Sequence, residues 1–452
     1  MRQQTGIQPK RSAMKITRRN KLIIDGATQD EIKEIKKLLS LPNPLYDRLK
    51  RMGNVRALYA CPREFEYYEE KNGKLIVPAG TYPQIVETYN PVVADETSYP
   101  QVHSFNSTIT LRDYQYGIID QGPPTEGIYR LDTGFGKTII ALKLAEQLRT
   151  RTLIVVPKLA LLAQFQSAIR TYLDFEPGVI QGNKLDIKDI TIATSQTLSK
   201  RVREGKLLPT TFGLVIADEC HLYVPRKSRL GIEFFQSRYR FGFTATPQRG
   251  DGQTEAIKFI FGPIIKDRKL QTVEPTVEVV DYEKENEHWE YGEIINKVVD
   301  DLDRNKLIVS HIERAAHVGR KVLVLTKRIN HFENIHGLLP RSIRCHTLRS
   351  KGTPAARARE IDSLRRGDLP FDCLLGTFSL LSTGVDIPQL DTLVIAGDLR
   401  SAVLTRQSVG RILRLHETKK TPKIIDIQDV NNGILGNQAR ERRRFYKQEG
   451  WL

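Results

Sequence analysis

Three short segments of the chain contain residues whose types and spacing suit the transfer of a phosphoryl group. In chain order they are LDTGFGKT at 131–138, VIADECH at 215–221 and QSVGRILR at 407–414. A glycine-rich loop that ends in lysine and threonine holds phosphates with backbone N–H groups, the lysine and a helix N-terminus. Adjacent carboxylates supply a metal anchor and a base for water, and arginines stabilise the charge that develops on the transferring group. Together the segments predict a motor driven by a nucleoside triphosphate.

The glycine-rich loop departs from the longer phosphate-binding pattern, because Leu131 stands where that pattern has glycine, and it matches the shorter T-G-x-G-K-T form. Gly134 and Gly136 allow backbone conformations that side chains would obstruct. Lys137 is expected to reach the β and γ phosphates, and the Thr138 hydroxyl to ligate Mg²⁺. A coincidental loop is the alternative, which the apolar stretch before it and the helical pattern after it disfavour. The nucleotide-binding residues predicted here are Asp132, Thr133, Gly134, Phe135, Gly136, Lys137 and Thr138.

The carboxylate pair follows an apolar stretch that is typical of a buried parallel strand. Such a strand delivers the residues after it to the carboxyl edge of its sheet, where ligands bind. We expect Asp218 to hold Mg²⁺ through water, and Glu219 to orient and deprotonate the attacking water. Two surface acids at a strand end are the alternative. His221 is expected to link the nucleotide site to the TAT segment at 244–246, with a structural histidine as the alternative.

The two distant arginines, Arg411 and Arg414, share a helix face with Gln407 one turn earlier. A solvated basic face is the simpler interpretation, whereas guanidinium groups that converge on a phosphoryl group would stabilise its charge. They lie in the second half of the chain, so they reach the phosphates only if the halves close on the nucleotide. This predicts that ATP binding closes a cleft and that hydrolysis opens it. The predicted catalytic residues are Lys137, Asp218, Glu219, Gln407, Arg411 and Arg414.

The composition is that of an ordinary globular protein of two to four domains, with 452 residues, 40% hydrophobic and 27% charged. No apolar run approaches the roughly 20 residues of a membrane span. The four cysteines form no C-x-x-C pair, which disfavours a zinc site or a disulfide framework and favours a reducing compartment. These features predict a cytoplasmic protein with no membrane partner.

The charge favours a polyanionic partner, because the net charge is +17 and the pI is about 9.6. A generally solvated basic surface is the alternative. Basic residues concentrate at both ends of the chain, in residues 1–24 and again after residue 439. Basic ends of this kind suit contacts with a phosphate backbone, or act as flexible solubilising tails.

The pattern of apolar residues predicts an α/β fold with two parallel sheets and a small α+β accessory domain. Near-continuous apolar runs such as TLIVVP and LVIAD are typical of strands buried on both faces, and they alternate with helical segments. The same pattern restarts after about residue 275. Before residue 100 we expect a capped helix at Thr28–Leu39, strands near Arg56–Tyr59 and Leu75–Val77, and a linker at Tyr89–Ser104.

We therefore predict five regions. They are an accessory domain that binds DNA substrate at 1–100, a first ATP-binding domain at 101–270, a boundary region at 271–300, a second domain at 301–430 and a basic tail at 431–452.

The chain resembles the superfamily 2 helicases, and within them the DECH-type phage branch-migration helicases of the UvsW kind, with XPB and RecG more distant. The resemblance spans about residues 105–430 and implies two tandem RecA-like domains. It rests on LRDYQ at 111–115, VVPKLALLAQF at 155–165, ATSQTL at 193–198, TATPQRGDG at 244–252 and GTFSLLSTGVDIP at 376–388, besides the three segments above. Lys158 stands where many relatives have threonine, and no catalytic group is missing.

The resemblance implies further site residues. Arg112 and Gln115 are implied to contact the base, and Gly384 and Asp386 to face ATP. His221, Thr244 and Thr246 are implied to couple the two sites. The residues implied to contact DNA are Pro157, Lys158, Gln164, Thr194, Ser195, Gln196, Arg249, Thr326, Lys327, Arg349 and Thr377.

The favoured function is an ATP-dependent DNA helicase or translocase, with ATP as substrate and Mg²⁺ as metal, acting on forked, duplex or Holliday-type DNA. The expected partners are branched DNA and recombination or replication proteins, and we expect a monomer in isolation. Three alternatives remain open: an RNA helicase, the motor subunit of a nuclease, and a nucleic-acid-binding scaffold that does not hydrolyse ATP. The DECH segment and the RGDG extension count against the RNA helicase, and the intact Lys137 and Glu219 against the scaffold.

Overall fold

The computed structural model divides the chain into two compact units, Met1–Lys269 and Leu270–Leu452. The residues that it describes are 13–119, 122–132, 134–249, 251–269, 273–283, 291–348, 354–378, 387–397, 399, 402–410, 412–413, 419–431 and 433–452. Within these ranges, every helix is too short or too polar to traverse a bilayer.

The first unit begins with a small α+β module built on a five-stranded sheet of order β5-β6-β2-β1-β7. Its elements are β1 (Lys15–Arg18), β2 (Lys21–Asp25), α1 (Gln29–Leu38), β3 (Ser40–Pro42), α2 (Pro44–Arg51), α3 (Val55–Tyr59), β4 (Glu64–Glu66), β5 (Glu69–Lys71), β6 (Lys74–Pro78), α4 (Tyr82–Tyr89) and β7 (Val92–Asp95). The predicted capping box of α1 is confirmed, because Thr28 and Glu31 each accept a hydrogen bond from the other's backbone N–H. The predicted strand at Leu75–Val77 is also confirmed, as the centre of β6.

Two predictions for this module are wrong. The segment Arg56–Tyr59 is helical, because the Asn54 side chain caps α3 by accepting from the Ala57 backbone N–H at 3.1 Å. The predicted linker Tyr89–Ser104 contains β7, which pairs in parallel with β1 and closes one edge of the sheet. A strand of four residues beside two prolines carries too little apolar periodicity to be recognised without its partner.

The rest of the first unit is an eight-stranded sheet of order β11-β10-β12-β9-β13-β14-β8-β15, parallel except for the β10–β11 pair. Its elements are β8 (Glu126–Leu131), α5 (Lys137–Leu148), β9 (Thr152–Val156), α6 (Leu159–Leu173), β10 (Gly178–Gln181), β11 (Lys184–Leu185), β12 (Ile190–Thr194), α7 (Ser195–Arg203), β13 (Leu214–Asp218), α8 (Arg226–Glu233), β14 (Tyr239–Thr244), α9 (Ala256–Phe261) and β15 (Ile264–Arg268). Every residue of β9, β12 and β13 is buried, as their apolar runs predict.

The module and this sheet share one hydrophobic core. A single cluster joins residues of the module, such as Ile16 and Val77, to residues of the sheet, such as Ile128 and Val215. The backbones also meet directly, because a Cβ at Gly80 would lie 2.5 Å from the Gly262 backbone nitrogen. The two parts of the first unit are therefore packed as one body.

Arg18 does not have the role in phosphate contact that is expected of the basic N-terminal stretch. Its side chain is buried and ion-paired with Asp95 at 3.0 Å and with the buried Glu126. Its guanidinium also lies over the Tyr82 ring, 4.3 Å from the centroid. Arg18 thus joins the module to the first residue of β8, and it is not available to a polyanion.

The second unit is a six-stranded, fully parallel sheet of order β16-β21-β20-β17-β19-β18 with helices around it. Its elements are β16 (Thr276–Tyr282), α10 (Tyr291–Asp300), α11 (Leu302–His317), β17 (Val322–Thr326), α12 (Ile329–Leu338), β18 (Cys345–Thr347), α13 (Pro354–Arg366), β19 (Cys373–Thr377), β20 (Thr392–Ile395), α14 (Ala402–Val409), β21 (Lys423–Asp429) and α15 (Gly433–Gln448). The second parallel sheet predicted from the sequence is confirmed. The boundary region at 271–300 contains β16 and α10, so its described part belongs to this unit.

The segment predicted as a basic C-terminal tail folds mainly as α15. Arg442 is buried and pairs with the buried Asp426 at 2.9 Å, and the Tyr446 hydroxyl donates to the same carboxylate at 3.0 Å. Arg440 and Arg444 on the same helix are exposed. One face of this basic segment is therefore used in packing, which the count of arginines did not reveal.

A buried histidine in the second unit makes its stability sensitive to acid. Burial, and secondarily Arg304, lower the pKa of His331 to about 3, and its Nε2 lies 3.1 Å from Asn305 Oδ1. At pH values below the pKa of about 6.5 for an unfolded histidine, His331 binds a proton in the unfolded chain but not in the folded chain. This group's stabilising contribution is thus complete above pH 6.5 and is lost as the pH falls toward 3, by about 1.4 kcal/mol per pH unit.

We expect His331→Gln to remove this part of the acid sensitivity. The free energy of unfolding should differ between pH 7 and pH 5 by about 2 kcal/mol less in the variant than in the parent. Thermal unfolding at the two pH values measures this difference. The matched control is His317→Gln, which changes an exposed histidine and should leave the difference unaltered. Equal differences in the parent and both variants would contradict the assignment.

Candidate nucleotide site

The glycine-rich loop connects the carboxyl end of β8 to the first residue of α5. Gly134 and Gly136 have φ angles of 92° and 90°, in the left-handed region that favours glycine. A Cβ at Gly136 would also lie 2.3 Å from the Gln115 Nε2 atom. Because the 12-residue helix begins at Lys137, its unpaired N–H groups face the loop, as phosphate binding requires.

Gln115 braces this loop from the side. Its Nε2 group donates to the Phe135 carbonyl at 2.7 Å, and its Oε1 atom accepts from the Arg112 backbone N–H at 2.9 Å. The ring of Tyr114 packs edge-on against the Phe135 ring, with centroids 5.1 Å apart. Of the two predicted base-contacting residues, Gln115 thus lies directly against the phosphate loop, and Arg112 contacts Gln115 and Tyr114. The Arg112 guanidinium is exposed and donates to the Tyr114 hydroxyl.

The carboxylate pair ends β13 at the same carboxyl edge of the sheet. Asp218 is 7% exposed, and burial together with Glu219 raises its pKa to about 7 against the opposing effect of nearby Lys137. Glu219 has a φ of 52°, which is uncommon for a residue with a side chain. Its Oε2 atom is buried without a hydrogen-bond partner. Backbone strain and an unsatisfied carboxylate oxygen are both typical of functional sites.

The predicted coupling residues lie beside the acids. The His221 Nδ1 atom is 3.0 Å from the Thr244 hydroxyl oxygen and 3.5 Å from Glu219 Oε2. The same hydroxyl accepts from the Thr246 backbone N–H at 3.1 Å. Burial lowers the pKa of His221, so the neutral form predominates at pH 7. The structure therefore brings the coupling segment into contact with the DECH residues.

The residues present fit a magnesium ion bound together with substrate phosphates. The Asp218 carboxylate and the Thr138 hydroxyl offer oxygen ligands, and Gln164 Nε2 lies 3.5 Å from that hydroxyl. In the described part of the chain no group of three or more His, Cys, Asp or Glu could hold a metal by itself. Mg²⁺ usually takes one or two carboxylates and completes its shell with phosphates and water, so the set suffices.

Except for Arg249, which follows β14, the predicted DNA-contacting residues of the first unit lie at or beyond the carboxyl ends of the neighbouring strands β9 and β12. Pro157 and Lys158 come after β9 and lead into α6, and Thr194 ends β12. Thr194 and Ser195 are largely buried, and the Thr194 hydroxyl lies 3.0 Å from that of Thr197. Gln196 lies on the first turn of α7, and Gln164 on the second turn of α6. These roles stay predictions.

In the second unit, Thr326 and Thr377 end the neighbouring strands β17 and β19, and Lys327 follows Thr326. Both threonines are buried, and the Thr326 hydroxyl donates to the Arg328 carbonyl at 2.9 Å. Gln407 lies on α14. The predicted residues that fall outside the described ones are Thr133, Arg349, Gly384, Asp386, Arg411 and Arg414.

A hydrogen-bonded chain that the sequence did not indicate runs from the DECH residues to the N-terminal module. The Arg249 guanidinium donates to the His221 carbonyl and pairs with Asp251. Gln253 donates to Asp251 at 3.2 Å and accepts from the Tyr67 hydroxyl at 2.6 Å. Tyr67 belongs to the module and lies 186 positions earlier in the chain. No local motif marks Tyr67, so only the tertiary contact could find it.

Two protein families match the chain over the regions just described. The family "Type III restriction enzyme, res subunit" matches residues 97–249, and "Helicase conserved C-terminal domain" matches residues 303–416. Together these regions hold the phosphate loop, the acid pair and the segment with the distant arginines. The predicted resemblance to the superfamily 2 helicases is confirmed.

Individual relatives agree with this family. The chain is 37% identical over 180 residues to "DNA 3'-5' translocase XPB2" of Sulfurisphaera tokodaii, covering 40% of each chain. It is 24% identical to "ATP-dependent DNA helicase uvsW" of Enterobacteria phage T4, covering 76% of this chain and 73% of that protein. It is 26% identical to a protein of Acanthamoeba polyphaga mimivirus named as an ATP-dependent RNA helicase, L396, covering 95% of this chain and 83% of that one. The chain thus spans two fifths of the length of the archaeal relative.

A solved structure shows the same fold. The Saccharomyces cerevisiae protein Dbp5, in a complex titled as bound to RNA and ADP BeF3, aligns with a TM-score of 0.51 at 15% identity. The alignment covers 74% of this chain and 85% of Dbp5. The prediction of tandem RecA-like parallel-sheet domains with a small N-terminal module is confirmed.

Proposed function

We propose that the protein is an ATP-dependent DNA helicase or translocase that remodels forked or Holliday-type DNA. The observation that carries the proposal is the contact between His221 and Thr244. It joins the DECH residues, which are suited to hydrolysis, to the segment that follows β14. A change at the phosphates could therefore be transmitted to that segment. The net charge of +17 supports a polyanionic substrate.

In the proposed reaction, backbone N–H groups of the loop and the Lys137 ammonium group bind and orient the ATP phosphates. The unpaired Glu219 Oε2 atom accepts a proton from the attacking water. Asp218 and Thr138 would hold Mg²⁺, which would supply positive charge to neutralise the phosphates. The proposal keeps for Arg411 and Arg414 the charge-stabilising role that the family resemblance implies.

DNA is preferred to RNA because two of the relatives above are named for DNA, in keeping with the DECH and RGDG segments. An RNA substrate is the second candidate, because the mimivirus relative and the Dbp5 complex carry RNA in their names. The restriction-enzyme family that matches the first unit raises the third case, a motor that serves a nuclease. A single panel of substrates separates the three.

The test compares ATP hydrolysis with single-stranded DNA, blunt duplex, a fork, a four-way junction and structured RNA, with gel analysis of the DNA products. We expect the fork and the junction to stimulate hydrolysis most and to be resolved into unbroken strands. Stronger stimulation by RNA would replace the DNA assignment. Cleaved products would favour the nuclease motor, and no stimulation by any nucleic acid would overturn the proposal.

A further inference from the structure

The helices α2 and α3 form a projection whose apolar side chains face solvent. We refer to residues 43–63 as the exposed hairpin. Neither helix contains a buried residue. Tyr59 is 91% exposed, Met52 66%, Val55 60% and Leu45 53%. Large exposed side chains clustered on one small projection are typical of a binding surface.

The exposed hairpin is also strongly basic. Its five cationic residues are Arg48, Lys50, Arg51, Arg56 and Arg63. The one acidic residue between positions 43 and 63 is Asp47, so the net charge is +5 − 1 = +4. All five cations are exposed, and none of them makes a salt bridge with another described residue. Unpaired cations around an exposed tyrosine suit a polyanion that carries aromatic bases.

The exposed hairpin is held rigidly at its base. Asn43 is 4% exposed, its side chain caps α2 through the Leu45 N–H, and its amide donates to the Pro62 carbonyl at 2.8 Å. Its backbone N–H donates to the Arg63 carbonyl at 3.0 Å, next to the β3–β4 pair. The two ends of the projection are thus fastened together, which lowers the entropy lost on binding.

The base of the exposed hairpin also lies against the coupling segment. A Cβ at Gly252 would lie 2.6 Å from the Cγ atom of Pro44, and Gly252 has a φ of 77°. The neighbouring Gln253 accepts the Tyr67 hydroxyl bond described above. The base of the exposed hairpin is therefore in contact with the segment that leads to His221.

We propose that the exposed hairpin is a nucleic-acid contact that recognises branched DNA, with its cations on the phosphate backbone and Tyr59 stacked on an unpaired base at the branch. This deepens the proposed function and rests on it. A protein partner is disfavoured because the exposed hairpin carries a net charge of +4, which a polyanion with aromatic bases complements together with the exposed tyrosine. Unpaired bases are available at a fork and absent from blunt duplex, so the tyrosine provides the discrimination.

The test uses the full chain with neutralised cations, Arg48→Gln/Lys50→Gln/Arg51→Gln. The matched control, Lys33→Gln/Lys37→Gln/Lys71→Gln, removes three exposed lysines from other elements of the same module. Fork binding is measured from 50 to 300 mM salt. We expect the hairpin variant to bind at least about tenfold more weakly, with a salt-dependence slope smaller by about 2.7, since each phosphate contact adds about 0.9. The control should stay within about twofold.

The second pair of variants tests the stacking. Tyr59→Ala should weaken fork binding about tenfold and blunt-duplex binding much less, while Tyr59→Phe should retain both, because stacking needs the ring and not the hydroxyl. Thermal unfolding should be the same in all variants, since the substituted side chains are exposed. Equal fork affinity in the hairpin variant and its control would overturn the inference and leave the apolar residues to a protein partner.

The outcomes also separate this inference from the proposed function. If the parent protein is stimulated by DNA and the hairpin variants match their controls, only the inference fails. If no nucleic acid stimulates or binds the parent protein, the proposed function fails with it.

Discussion

Lys137→Ala is expected to reduce nucleic-acid-stimulated ATP hydrolysis by at least about a hundredfold, because in the proposed reaction the Lys137 ammonium group binds the transferring phosphate. The Lys137 Nζ atom lies 3.3 Å from the Leu131 carbonyl, so its side chain folds back over the loop. DNA binding should remain largely intact, since the predicted DNA-contacting residues follow other strands. Steady-state hydrolysis with fork DNA and fluorescence anisotropy of the same fork measure the two properties.

The matched control is Lys143→Ala, which removes a lysine from the same helix at a position paired with Glu146. It should retain hydrolysis within about twofold. Turnover at the parental rate in Lys137→Ala would show that the loop does not hold the reacting phosphates.

Arg18→Ala is expected to destabilise the first unit by about 3–5 kcal/mol, because it leaves the buried Glu126 carboxylate without its partner. Glu126 is 2% exposed and begins β8, the strand that leads into the phosphate loop. The loss should appear in chemical unfolding of the first unit.

Arg19→Ala provides the comparison at the neighbouring position. Arg19 pairs with Glu96 at the surface, where both side chains are more than 40% exposed. Exposed ion pairs contribute at most about 1 kcal/mol, so this variant should unfold almost as the parent does. Similar losses from Arg18→Ala and Arg19→Ala would mean that the buried pair is not a structural link.

Elements with strong local signals could be predicted from the sequence. The strands β9, β12 and β13 are buried on both faces, so they read as unbroken apolar runs. The capping box of α1 can be recognised from Thr28 and Glu31, which stand three positions apart. The phosphate loop and the acid pair could be predicted because phosphate and metal binding confine their residues to short segments, and the coupling role of the threonines was implied by the family resemblance.

The remaining features depend on partners far away in the chain. The strand β7 forms by pairing with β1, and Arg18 is buried because it pairs with Glu126. A local sequence pattern contains neither of these distant partners. The brace from Gln115 to Phe135 and the bond from Tyr67 to Gln253 join positions of ordinary composition. Charge counts also misled, since they cannot separate Arg442 in the core from Arg444 in solvent.

The common core of the module and the first sheet has a practical meaning for dissecting the protein. A cut at the predicted boundary near residue 100 would separate the module from the eight-stranded sheet and expose the apolar residues that the two now bury against each other. Fragments made there would report on damaged folding rather than on separate tasks. Single substitutions on the surface, or a division after Lys269 where the chain passes from one compact unit to the next, keep each piece whole.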